Sequence, residues 1–255
     1  MAVDLAFTET GSGPPLVILH GLFGSKRNWS TPAARFAADH RVVVADLRNH
    51  GESPRHDAHD YPALADDVAR LIESRVGGPA AVMGHSMGGK AAMTLALGRP
   101  ELVERLVVVD IAPARSNAAP LGLLRAMRSV PLAACTSRAD VGAILAEKVS
   151  DPGVRAFLAQ NVVAGPGGLS WMVNLDAIER NVESIVGFPD VPPGRAYAGP
   201  TLFVAGGRSD YLRPEHAAEI GRLFPRATIE TIPGAGHWVH AEAADAFFAV
   251  VSRFL

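Results

Sequence analysis

Short apolar runs alternate along the chain with stretches in which apolar residues recur every three or four positions. Residues 16–19, 41–46, 80–84, 106–110, 201–205 and 227–232 are rich in Val, Ile and Leu and end in or beside Gly, Asp or Pro. Runs this short, with no polar alternation, read as strands buried on both faces of a parallel sheet. Between them, Leu64, Val68, Leu71 and Ile72 mark one face of a helix, with Asp66, Asp67 and Arg70 on the others. Further helices are predicted from Met87 to about residue 97, after Pro214, and over 241–254 with Phe247, Val250, Val251 and Phe254 inward. Strand–helix alternation predicts an α/β fold: a mostly parallel, twisted sheet with helices on both faces. Residues 3–10 are predicted to add an antiparallel edge strand.

The pattern breaks over residues 113–198. Helical segments are predicted at 121–128, 141–149, 154–160 and 175–184, with no strand, and a Pro/Gly-rich passage closes the stretch. It reads as a helical cap, or lid, over the sheet. The core is then assembled from residues 1–112 and 199–255.

Length and charge narrow the function. A chain of 255 residues can bury a substantial core as one unit. Its 24 basic and 26 acidic residues leave a formal charge of -2, with no field to attract nucleic acid or an anionic membrane. Arg125 and Arg128 read as a solvated helix face. The single cysteine, Cys135, excludes an internal disulfide and reads as a packed side chain. The first residues lack the basic start and long apolar run of a signal peptide, and no segment is apolar enough to span a bilayer. A cytoplasmic protein, monomer or dimer, acting on a small molecule is expected.

The strongest chemical signal is Gly84-His85-Ser86-Met87-Gly88-Gly89, a G-x-S-x-G pattern between a predicted strand and a predicted helix. A sharp strand-to-helix turn lifts a serine hydroxyl above the sheet edge. The helix beginning at Met87 aims free N–H groups at the site. Serine needs a base, and His237 in Gly-Ala-Gly-His-Trp follows the last predicted strand, on the same sheet edge. His40, His50, His56, His59, His216 and His240 read as solvated or locally bonded, and His85 as structural. An oxyanion hole is expected from the Met87 N–H and a donor in His20-Gly21-Leu22-Phe23-Gly24, with Leu22 first and Phe23 the alternative.

These motifs, with Asp46-Leu-Arg-Asn-His-Gly-Glu-Ser, Val109-Asp-Ile-Ala-Pro and Gly236-His-Trp-Val-His-Ala-Glu, resemble the YbfF-type esterases of the abhydrolase family, which include a mitochondrial relative in animals. The resemblance covers residues 15–115 and 199–255 and is weak between them. It implies the α/β-hydrolase fold and hydrolysis of carboxylic esters or thioesters without a cofactor. For the acid behind His237 it favours Asp110, at the end of the strand after the nucleophile helix. Most α/β-hydrolases use the later position, here Asp210, which stays as the alternative.

Asp46 and Arg48 are expected to tie down the loop after their strand, and Trp171 and Trp238 to sit in the core or pocket wall. Tyr211 and Arg115 are expected to contact substrate. No metal is expected, since no His, Cys or Asp cluster has ligand spacing and no dinucleotide or phosphate loop is present. A serine at position 86 argues against dehalogenase and epoxide hydrolase chemistry, which need aspartate there. Cofactor-free haloperoxidase (perhydrolase) and C–C hydrolase reactions use the same serine. A non-catalytic ligand-binding homologue is the reading from a different class.

Overall fold

The computed structural model describes residues 1–117 and 119–255. The first part of the chain forms β1 (Phe7–Thr10), β2 (Pro15–Leu19), α1 (Ser30–Phe36), β3 (Arg41–Ala45), α2 (Tyr61–Leu71), β4 (Ala80–His85), α3 (Met87–Gly98) and β5 (Val103–Val109). An insertion follows with α4 (Ala119–Arg128), α5 (Arg138–Leu145), α6 (Pro152–Ala159), β6 (Val162–Gly165), β7 (Gly168–Trp171), α7 (Leu175–Arg180) and α8 (Val182–Val186). The chain then returns as β8 (Thr201–Gly206), α9 (Ala217–Leu223), β9 (Ala227–Ile232), α10 (Val239–Glu242) and α11 (Ala244–Phe254).

Seven strands form one sheet in the order β1-β3-β2-β4-β5-β8-β9. Edge strand β1 is antiparallel to β3, and the other neighbours run parallel. Side chains on a strand point alternately to its two faces. Val17, Leu19, Val43, Leu106 and Val108 therefore join one core under α2, α3 and α9. Leu16, Ile18, Val42, Val44, Val107 and Val109 join the other, under α1 and α11. Burial on both faces explains the unbroken apolar runs.

The order reverses at β2, because β3 lies on one side of it and β4 on the other. Open α/β sheets place ligands beyond the carboxyl ends of strands at such a point. The loops after β2 and β4 meet there.

Three expectations need correction. The insertion is not purely helical, since β6 and β7 pair as an antiparallel hairpin. The C-terminal helix is two, broken at Ala243, where φ is -138° and ψ is 52°. The edge strand begins at Phe7 rather than residue 3. The insertion also carries its own buried cluster, with Leu124, Met127, Val141, Leu158, Val173 and Ile178 in it. No helix among the described residues is long and apolar enough to cross a membrane.

Candidate active site

Ser86 sits between β4 and α3 with φ 53° and ψ -117°. An L side chain rarely adopts this conformation, and close packing around the turn enforces it. A Cβ on Gly84 would stand 2.1 Å from the Gly88 carbonyl oxygen, and one on Gly88 would stand 2.6 Å from that of Leu19. Only glycine lets these backbones approach. The Ser86 N–H donates to the Val109 carbonyl at 3.0 Å, which ties the turn to the neighbouring strand.

His237 Nε2 lies 3.0 Å from Ser86 Oγ, and its Nδ1 lies 2.7 Å from Asp110 Oδ2. Asp110 is fully buried, in the left-handed region with φ 51°. Its Oδ1 accepts the Gly206 N–H at 2.9 Å, and Oδ2 also accepts the Ser209 hydroxyl. The His237 loop is held by three hydrogen bonds from two side chains. Glu242 accepts the N–H groups of Gly236 at 2.8 Å and Trp238 at 3.2 Å, while His85 Nε2 donates to the His237 carbonyl at 2.9 Å. Burial drives His85 well below the usual histidine range, so it stays a neutral donor through this one nitrogen.

The second carboxylate candidate, Asp210, is exposed and lines a separate pocket of about 160 Å³. Arg115 lines that same pocket and is ion-paired with Glu183 at 2.7 Å. Neither lines the cavity at Ser86. Tyr211 lines both pockets.

The loop after β2 packs directly on Ser86, since a Cβ on Gly21 would stand 3.3 Å from Ser86 Cβ. The Gly21 carbonyl accepts from the Gly24 N–H at 2.9 Å and from His20 Nδ1 at 2.8 Å. Among the described residues the Leu22 N–H makes no hydrogen bond. Met87 is the first residue of α3, so its N–H has no carbonyl one turn earlier. The Phe23 N–H, the alternative donor, is instead taken by His50 Nε2 at 3.2 Å. Two unpaired N–H groups thus flank Ser86, where negative charge on a substrate oxygen would be stabilised.

A cavity of about 80 Å³ opens here, walled by Leu22, Leu123, Phe157, Tyr211 and Trp238. Trp238 is pocket wall, while Trp171 packs on the insertion's cluster. Among the described residues no cluster of His, Cys, Asp and Glu is arranged to hold a metal.

Several polar residues near the site lie deeper than the sequence suggested. His50 and His59 are fully buried and His240 nearly so, where solvated or local side chains were expected. Burial pushes His59 and His240 down to about 3. Lys90 of α3 is buried and donates to the carbonyls of Val186 and Gly187 at 2.9 and 2.6 Å. Asp46 accepts from Lys26 Nζ at 2.7 Å and from the Glu52 N–H at 2.9 Å. Arg48 pairs with Asp67 at 2.5 Å, both fully buried.

Residues 16–250 match the Alpha/beta hydrolase family. The mouse sn-1-specific diacylglycerol lipase ABHD11 is 41% identical over 250 residues, 95% of this chain and 81% of the relative. Esterase YbfF of Escherichia coli (strain K12) is 35% identical, over 94% of this chain and 92% of the relative. The solved structure of a marine microorganism esterase superposes with a TM-score of 0.96 at 34% identity and covers 100% of both chains.

Proposed function

The chain belongs to the alpha/beta hydrolase family, among the YbfF-type esterases, and from that premise we propose that it hydrolyses carboxylic esters with Ser86 as nucleophile, His237 as base and Asp110 as the orienting acid. The observation that carries this reading is the unbroken contact from Ser86 Oγ through the imidazole to the buried Asp110 carboxylate. The relatives' names, esterase and diacylglycerol lipase, support an acyl ester as substrate.

As Ser86 Oγ bonds to the acyl carbon, His237 Nε2 takes its proton. Asp110 holds Nδ1–H and stabilises the imidazolium. The Leu22 and Met87 N–H groups receive the oxyanion. The C–O bond to the alcohol then breaks as His237 returns the proton to the departing oxygen. A water gives a proton to His237 and its oxygen to the acyl carbon, and Ser86 recovers its hydrogen as the acid leaves. The apolar wall of Leu22, Leu123, Phe157 and Trp238 suits an uncharged acyl chain. Residues 113–198 act as the cap, since Leu123 and Phe157 come from the insertion and close over the cavity. A thioester presents the same carbonyl to the same groups and is the second leaving-group class to assay.

The test is turnover of p-nitrophenyl acetate by the wild type and by Ser86→Ala, with fluorophosphonate labelling mapped by mass spectrometry. The expected result is loss of at least about 10³-fold, with the label on Ser86 alone. Undiminished turnover by Ser86→Ala, or a label elsewhere, overturns the reading.

A further inference from the structure

Three buried imidazoles, His20, His50 and His59, stand together at the Ser86 cavity, which His20 lines, with centroids 5.1 Å apart for His20–His50 and 5.4 Å for His50–His59. The hydrolytic steps use none of them. We propose that His50 is a positioning residue of the oxyanion hole: by accepting the Phe23 N–H it fixes the loop so that the Leu22 N–H remains the free donor beside Ser86. This inference rests on the hydrolase reading above.

The tautomer follows from the partners. His50 Nδ1 faces the Arg48 carbonyl at 3.0 Å, an acceptor only, so Nδ1 carries the hydrogen. Nε2 is then left with its lone pair, 3.2 Å from the Phe23 nitrogen. Burial holds the ring well below the usual histidine range, which keeps that lone pair available. The anchor is rigid, because the Arg48 guanidinium is locked against Asp67.

Phe23 needs such a restraint. It is buried and sits in the left-handed region at φ 61°, where an L residue is strained. With its N–H unpaired, that backbone would also carry the cost of a buried orphan donor. Asn161, from the insertion, donates to the Phe23 carbonyl at 2.7 Å. The peptide group on each side of Phe23 is therefore held by one side chain. The preceding peptide is pinned through the Gly21 carbonyl by His20 and Gly24, which sends the Leu22 N–H to the opposite side. His50 supplies the remaining restraint between the two.

The experiment compares His50→Phe, which cannot accept, with His50→Gln, whose carbonyl oxygen can occupy the place of Nε2. Both are assayed on p-nitrophenyl acetate beside Ser86→Ala, and binding of an aryl boronic acid, which forms a tetrahedral adduct, is measured on each. His50→Phe is expected to lower kcat by about 10- to 100-fold, with KM changed by less than about threefold and boronate affinity reduced in step with kcat. His50→Gln is expected to recover most of kcat. Equal impairment of the two variants, or a loss confined to KM, overturns the proposal. Because His50→Phe can fail to fold, the wild type is also read by long-range ¹⁵N–¹H correlation. The Nδ1–H tautomer of His50 is expected, and an Nε2–H tautomer overturns the proposal. Turnover retained by Ser86→Ala sinks the triad reading instead, whatever His50 does.

Discussion

The phenol ring of Tyr211 lies on the imidazole of His237, with centroids 4.0 Å apart and planes inclined by 24°. The Tyr211 N–H also donates to Ser209 Oγ at 3.3 Å, and that hydroxyl in turn donates to Asp110. One residue thus braces His237 through its ring and Asp110 through its backbone. Contacts of this kind are worth about 0.5–1.5 kcal/mol, which is up to about tenfold in rate. Tyr211→Ala is expected to lower kcat by a factor within that range, while Tyr211→Phe, which keeps the face, stays within about twofold of wild type. Steady-state kinetics on a short ester decides it. Equal losses from both substitutions would place the effect in the hydroxyl rather than the stack.

The choice of acid can be settled by paired substitutions. Asp110 is buried against Nδ1 of His237 and accepts two further hydrogen bonds, whereas Asp210 is exposed in another pocket. Asp110→Asn is expected to cost about 10⁴-fold in kcat, because an amide beside Nδ1 favours the wrong tautomer. Asp210→Asn should change kcat by less than about twofold. Rates for both, against Ser86→Ala as the blank, provide the check. A large loss from Asp210→Asn alone would reverse the assignment.

These two carboxylates also show where sequence reading stops. Asp110 ends one predicted strand and Asp210 follows the next, and neither position alone marks the partner of His237. What separates them is the left-handed turn at Asp110, the N–H that Gly206 at the end of β8 gives to it, and the return of the chain after the insertion. The turns that bring Ser86 and His237 together were legible, because they need small residues and glycines mark them in the sequence. The strands were legible because both faces are buried. Helix α1 was missed, since seven residues with a proline give almost no periodicity. The β6–β7 hairpin carries little strand signal because its strands are four residues each, too short for the alternation of Leu169 and Trp171 with Gly168 and Ser170 to stand out among glycines. Buried polar groups were the largest omission. His50, His59 and His240 stand in segments that read as solvated or locally bonded, yet all three are buried.

Strain at Ser86 gives a stability prediction independent of chemistry. The φ of 53° and ψ of -117° at Ser86 suit glycine and oppose any side chain. Ser86→Ala and Ser86→Gly both remove the hydroxyl, so their difference isolates the backbone. Ser86→Gly is expected to be more stable by about 1 kcal/mol, raising Tm by about 2–4 °C over Ser86→Ala. Thermal melts of the two inactive variants measure it. An alanine variant as stable as the glycine one would mean the turn is not strained.

Lys90 offers a pH dependence with a definite sign. Its amine projects from α3 into the protein and caps the carbonyls that end α8, so α3 and the end of the insertion are joined through one amine. Burial pulls it down from 10.5 to about 7. At acid pH both folded and unfolded chains carry the proton, and the folded state bears the full cost of a buried ammonium. As pH rises from about 7 towards 10.5, the folded protein releases a proton that the unfolded chain still holds, so Lys90's contribution to stability rises with pH. Lys90→Met does not titrate. The unfolding free energy of the wild type relative to Lys90→Met should therefore stay flat below about pH 7 and climb above it by up to about 1.4 kcal/mol per pH unit. Urea unfolding of both proteins from about pH 6 to about pH 9 follows the difference directly. A difference that stays level through this range would mean that the two carbonyls and the Tyr61 ring, 5.7 Å from Nζ, hold the charge against burial. The insertion would then be fastened to α3 by a permanent cation.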